Sequence, residues 1–355
     1  MDAHDSFATL VALRAKAGEL TALRALSRPE QVRQVQPLLQ FDPHGSAPAS
    51  QLGAIEAAVR DLRRLGRRVM LDASEVAGLP AFGTGPTGAL GQMTDRLADP
   101  VDLLDGPGPI AFIPVVRSDA AEQPAVALGR LCHELGAGCA FRVRSATAGR
   151  DNIERIIERL DLDTDRIDLI LDLQYLDKAT TSQLDEAAAI LAAFAELGEF
   201  RSVSLLSGSI PRTLAQTSTW EQPRTEETLW ANLVRAAAAD LRLGDYGTVH
   251  PIPGGGFRSN HVAMKYTCPD HWLYSRERMP EPDDRAADSP RAGAFRIVCR
   301  HLIESDNFAG PDFSWGDREI HEAATGRGRG FGDSSKPVAL ATSHHLAYLA
   351  GRSAA

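Results

Sequence analysis

The sequence predicts an α/β fold, a (β/α)8 TIM-like barrel with a hairpin insertion after strand 8 and extra C-terminal helices. Three observations predict it. Eight apolar, strand-like segments recur between Thr9 and Val249, most are separated by a stretch of helical periodicity, and nearly all end in a charged or polar residue. Repeated strand, helix and strand with short connections implies parallel pairing and right-handed crossovers. Polar residues gathered at strand ends put a site at the rim. The competing architecture is an open doubly wound sheet; no GxGxxG turn follows an early strand, which removes only its dinucleotide-binding versions.

The strands are TLVALRAK from Thr9, VQPLLQFD from Val35, RVMLDAS from Arg68, IAFIPVVRS from Ile110, CAFRVRS from Cys139, IDLILDLQYL from Ile167, SVSLLSGS from Ser202 and LRLGDYGTV from Leu241. Helices are expected over Glu19 to Leu26, Ser50 to Leu65, Gln92 to Leu104, Gln123 to Leu135, Asn152 to Leu160, Thr181 to Leu197 and Glu226 to Leu241, each with apolar residues three and four apart. In the second of these, Ile55, Val59 and Leu62 share a stripe that Arg60, Arg63 and Arg64 avoid, as in a helix laid on a sheet.

Beyond Val249 the rhythm breaks. HPIPGGGFRSN cannot be a regular element and predicts a rim loop. VAMKYT and WLYSR, separated by CPDH, predict a short hairpin, and the proline- and charge-rich stretch from Met279 to Ala292 predicts a mobile surface loop. A helix from Ala294 to Glu304 is expected to close the eighth β/α unit, with helices over Asp317 to Ala324 and Val338 to Leu349 covering wall or rim. The expected organisation is one domain over 1–355: eight strands and their helices in 1–250, rim loop, hairpin and mobile loop in 251–292, closing helices in 293–355.

With 355 residues, 43% of them hydrophobic, the chain can bury a substantial core. A net charge of −9 argues against broad nucleic-acid binding, which relies on phosphate neutralisation, although a local basic groove stays allowed. Cys132, Cys139, Cys268 and Cys299 form no CxxC and no metal-ligand spacing. An acidic N-terminus and the lack of an apolar run near ~20 residues predict a cytoplasmic protein without a membrane partner. No motif specifies a cofactor.

A charge inside a covered barrel strand is tolerated chiefly at the carboxyl-terminal mouth. Arg142 and Arg144 alternate on one strand, and Asp172 and Gln174 on the next; Asp72, Arg117, Ser207, Ser209 and Asp245 end others, and Lys16 follows the first. The arginines suit carboxylate or phosphate, while Asp172 or Asp245 suits acid/base work, with His250 or Lys265 as a second proton-transfer group. Tyr246, Tyr266 and His344 complete the candidate ligand-binding set. The competing reading is an internal network in which Arg142 or Arg144 satisfies Asp172. The loop of Gly254, Gly255, Gly256, Phe257, Arg258, Ser259 and Asn260 could bind an anion through its N–H groups or act as a lid.

His250 lies close to Asp245 and could be a base oriented by it, or a structural residue. His344 and His345, about 100° apart on a helix, do not suit one metal, and no HExxH is present. SLLSGSIP is half of a nucleophile elbow at best. GRGRGFGDSSK, 326–336, reads as a solvated connection or an anion contact.

GDYGTVHP from Gly244, MKYTCPDHWLYSRER from Met264, FSWGDREIHEAATGRG from Phe313 and ATSHHLAYL from Ala341, in that order, resemble the C-terminal hallmarks of the beta-protein family, named after a T-even phage beta protein and widespread in bacteria. LVALRAKAGELTALRAL and VQPLLQFDP resemble its opening, though Gln40 stands where members often carry an acid. The resemblance implies homology and a phage-host or defence setting, and carries over no catalytic residue. Two function classes follow: an enzyme acting on a small or peptide-borne anionic group at the mouth, or a non-catalytic recognition protein for a phage protein, modified peptide or nucleic-acid end.

Overall fold

The computed structural model describes residues 7–98, 112–144, 149–237, 240–252, 254, 259–281, 289–327 and 331–352. Eight parallel strands close a barrel: β1 (Thr9–Arg14), β2 (Val35–Gln40), β3 (Met70–Asp72), β4 (Ile113–Arg117), β5 (Cys139–Arg144), β6 (Ile167–Tyr175), β7 (Ser202–Gly208) and β9 (Leu241–Asp245). These are the eight segments predicted. Their near-continuous burial is what a parallel sheet covered on both faces requires. Between them run α1 (Ala17–Arg24), α2 (Pro48–Arg64), α3 (Gly88–Leu97), α4 (Glu122–Leu135), α5 (Arg150–Leu160), α6 (Thr181–Ala195) and α7 (Thr225–Ala237). Leu52, Ile55, Val59 and Leu62 of α2 are buried, so the apolar stripe does face the sheet.

The hairpin exists as β10 (His261–Thr267) and β11 (His271–Arg278), but it has a third strand. β8 (Ser218–Pro223), arriving between β7 and α7, pairs antiparallel with β11. STWEQP offers no hydrophobic alternation because its side chains are exposed or only partly buried and its pairing is through the backbone; Pro223 is tolerable on such an edge.

One expectation is corrected. Helix α8 (Pro290–Ile303) does not close the eighth β/α unit; it packs on β10, β11 and α9 (Trp315–Ala324). Its apolar face of Phe295, Val298, Cys299 and Leu302 shares a core with Val262, Met264 and Leu273, because the chain has already left the barrel for the antiparallel sheet. The helix that lies along α1 and β10 is α10 (Lys336–Gly351). It is buried nearly all round, with Ala339 to Leu346 covered without a break, and the polar turn Thr342, Ser343, His344 and His345 within that span is hydrogen-bonded to neighbouring elements.

At Gly316 the α9 backbone comes so close to α10 that a Cβ would fall against the Leu340 carbonyl oxygen and crowd Ser343. Gly316→Ala is therefore expected to cost about 1–3 kcal/mol by overpacking, read as a lower denaturation midpoint. An unchanged midpoint would show that α9 is free to shift.

All four cysteines are buried and unpaired as disulfides. Among the described residues no helix is long and apolar enough to cross a membrane. The first residues of the predicted fourth strand, the end of the third helix, and half of the loop predicted as mobile lie outside the described residues.

Candidate functional site

The barrel centre is an ion network built around Arg142. From β5 it crosses the lumen: Nε and Nη2 donate to Asp172 Oδ2 of β6 at 3.0 and 2.8 Å, Nη1 donates to Asp72 of β3, and Nη2 also reaches the Tyr246 hydroxyl at 2.7 Å. Tyr246 donates to Asp172 Oδ1 at 2.6 Å. With its amide oxygen turned to the guanidinium, Gln40 of β2 accepts from Nη2 at 3.2 Å. Burial alone would raise the Asp72 pKa; Arg142 and the donors of Ser74 override it and hold the carboxyl below its ordinary value. Burial, reinforced by Asp172, pushes the Tyr246 phenol well up, so it stays a neutral donor.

Around this centre, Arg144 pairs with Glu75 at 3.2 Å and approaches Asp172 at 3.6 Å, and Arg117 bonds Glu75 at 3.1 Å and Asp119. The described residues leave a cavity of only about 10 Å3 between Gln40, Glu75, Arg142 and Arg144, room for about one water. Every side of the Arg142 guanidinium is already committed. The internal-network alternative therefore describes Arg142 better than a ligand-gripping role does.

Open clefts lie beside β1, beyond β3 and β4 (about 570 Å3, reaching Arg117) and beyond β6 and β7 (about 520 Å3, reaching Tyr175). The cleft beside β1, of about 630 Å3, is lined by Arg14, Lys16, Glu19, His44, Ser46 and Ser335, among others. Arg14, 8% exposed at the end of β1, spends its guanidinium on the carbonyls of His250 and Pro251, at 2.7 and 3.1 Å. Lys16 meets Asp42 at 2.8 Å. Lys265 of β10 donates to the Thr248 carbonyl at 3.0 Å, and burial pulls its pKa down to about 8 against the attraction of Glu19. Glu19, in the first turn of α1, accepts the Arg14 backbone N–H at 3.1 Å. Burial raises its pKa to about 7, against the pull of Arg14 and Lys16.

Asp245 and Tyr246 are consecutive, so they face opposite sides. Tyr246 takes the lumen, and Asp245 looks outward to His345 Nε2 at 3.0 Å, the Gly247 N–H at 2.9 Å and Arg224 at 3.5 Å. His345 then meets Thr267 at 2.9 Å, and Arg224 meets Glu227 at 2.6 Å and lies over the Trp272 ring. Burial would raise the Asp245 pKa, but His345 and Arg224 lower it below the ordinary value. The expected pairing of His250 with Asp245 is corrected accordingly. His250 stacks on Tyr175, accepts the Ile252 N–H at 3.0 Å, and is held below its ordinary pKa by burial.

Tyr266 and His344 meet each other, away from the Arg142 network. His344 reaches Asp317 at 3.0 Å and the Thr267 carbonyl at 2.9 Å, while Tyr266 stacks on it at 3.6 Å and donates to Asp317 at 2.6 Å. They tie β10, α9 and α10 together. Gln174 does not share a regular face with Asp172: a register shift separates them, Gln174 takes φ 56°, and its backbone N–H donates to Asp172 at 2.9 Å. Ser207 registers with Asp245, and its buried hydroxyl has no hydrogen-bond partner among the described residues. Ser209 accepts from Trp272 Nε1 at 3.1 Å. Gly255 and Arg258 lie outside the described residues. Among the described residues no group of three metal-ligating side chains converges.

A sequence model of the beta protein family matches residues 11–351. The chain belongs to the beta protein family. No curated protein matches the chain. In this beta protein the matched span runs from within β1 to the last residue of α10, so barrel, antiparallel sheet and C-terminal helices are one family unit. It includes the Arg142 network, the Asp245 and Asp317 clusters and the cleft beside β1.

Sequence reading passed over Arg14, Glu19, Asp42, Glu75, Arg224 and Asp317. Arg14 and Asp42 were legible as strand-end charges. Asp317 showed only as the acid three residues after Ser314, a helix-capping signal, and Glu19 as an ordinary first-turn acid.

Proposed function

We propose that this beta protein is an enzyme acting on a small or peptide-borne anionic group, phosphate or carboxylate, held at the C-terminal mouth in the cleft beside β1. One observation carries the reading. Arg14, buried in the cleft wall, and Lys265, half-buried beside Thr248, are cations whose side-chain N–H groups meet backbone carbonyls, with no carboxylate within 4.0 Å among the described residues. A partly desolvated charge without a carboxylate in direct contact is costly, and an anionic ligand relieves that cost. Lys16 stands at the entrance, and the cleft has the volume of a small-molecule site. Arg142, Asp72, Asp172 and Tyr246 serve as positioning residues beneath it, Arg117 and Arg144 as paired rim charges.

A non-catalytic recognition protein in a phage-host or defence setting is the second reading. The filled barrel centre favours it, since the cavity beside Arg142 and Arg144 measures only about 10 Å3. A thermal-shift panel of sugar phosphates, nucleotides, dicarboxylates and short oligonucleotides separates the two. Small phosphates or carboxylates should stabilise the wild type, by about 2.7 kcal/mol at a hundredfold excess over Kd, and lose that effect in Lys265→Met. Turnover of the stabilising compound then completes the enzyme reading. Stabilisation by oligonucleotides alone would overturn it in favour of recognition.

A further inference from the structure

Glu19 is a buried titratable group that the proposed chemistry leaves idle. It is 2% exposed yet lines the open cleft with Arg14, Lys16 and His44. One carboxyl oxygen accepts the Arg14 backbone N–H at 3.1 Å; the other has no hydrogen-bond partner among the described residues. An ionised carboxylate there would repel an anion, whereas a carboxylic acid has one O–H to donate.

We propose that Glu19 is a ligand-binding acid whose neutral form donates a hydrogen bond from its unpartnered oxygen to an oxyanion in the cleft, so that anion binding draws a proton onto those sites still ionised. The inference rests on the anion reading above and names the proton linkage of that same site. The balance is simple: a solvent proton forms the O–H bond of Glu19, and no other covalent bond changes.

The surroundings supply the means. Glu19 faces Arg14 from β1, Lys16 from the following turn, Asp42 from the end of β2 and Lys265 from β10. His44 is the further titratable group in the cleft wall. On the adjoining helices, Lys336 of α10 pairs with Glu319 at 3.1 Å, and Asp61 of α2 with Arg24 at 3.4 Å, so these charges are met elsewhere. Burial places the Glu19 pKa at about 7, where a bound anion can draw the proton on. Linkage then makes anion affinity fall as pH rises.

The test is calorimetry with sulfate, whose charge is constant across the range, in two buffers of different ionisation heat between about pH 6 and about pH 7.5. The wild type should take up a fraction of a proton per sulfate that approaches one at the upper end, with affinity falling toward tenfold per pH unit. Glu19→Gln keeps the acceptor for the Arg14 N–H and always presents a donor, so it should bind sulfate without proton uptake and with a flat pH response. An infrared difference spectrum of the wild type should gain a carboxylic-acid band on sulfate addition, a readout that does not depend on the variant folding. A Glu19→Gln protein with the wild-type pH slope and uptake overturns the inference and leaves the anion reading standing. No sulfate binding by the wild type at any pH overturns both.

Discussion

Arg142→Met will lower the unfolding free energy by about 3–5 kcal/mol at neutral pH, because two buried carboxylates lose their common cation. Asp72 and Asp172 are each 1% exposed or less, and methionine replaces the bulk of the guanidinium without its charge. The pH dependence identifies the cause. The folded pKa of Asp72 is depressed, so its contribution is complete above the unfolded carboxylate value and fades as pH falls through the folded value. In Arg142→Met the two buried carboxylates keep only the donors of Ser74 and Tyr246 and the more distant Arg144, and taking up a proton relieves them. The gap between wild type and variant should therefore narrow on acidification, measured by denaturant titration at about pH 7 and about pH 4.5. A gap independent of pH would assign the loss to packing and sink the electrostatic account.

Asp245→Asn will destabilise by a similar order, about 3–5 kcal/mol, and this separates a structural residue from a catalytic one. A catalytic aspartate at an open mouth can lose its charge with little effect on stability. Asp245 instead holds His345 of α10, Arg224 and the Gly247 N–H behind the barrel wall. The variant leaves Arg224 and His345 facing a neutral amide. Asp245 has a depressed folded pKa, so its contribution is present above the unfolded carboxylate value and lost as pH falls through the folded one. A double-mutant cycle with His345→Ala should give a coupling of about 0.5–3 kcal/mol. Additive losses would show that Asp245 and His345 do not act as a pair.

How much of this was readable depended on how local each signal is. The strands at Thr9, Val35, Cys139 and Ile167 announced themselves because burial on both faces demands continuous apolar runs. β8 did not, because an exposed edge strand needs only backbone pairing. Arg142, Asp72 and Asp172 were legible as strand-end charges, but that Arg142 reaches both carboxylates, separated from it by 70 and 30 residues, was not. Glu19 carried no signal, since an acid in a first helical turn is ordinary; its altered proton affinity comes from burial by the surrounding fold.

The sequence by itself determined the barrel, the number and order of its strands, the family, and the end of the barrel where charge collects. Periodicity of two and of 3.6 residues is written along the chain, and so are runs of apolar residues. Tertiary structure alone decided that Tyr246 faces the lumen while Asp245 faces α10, that α10 and not α8 lies along α1, and that an open cleft sits beside β1 while little space is left beside Arg142. Those outcomes depend on which distant side chains share a desolvated space, and ionic partners are chosen by distance in the fold, which spacing in the chain does not encode.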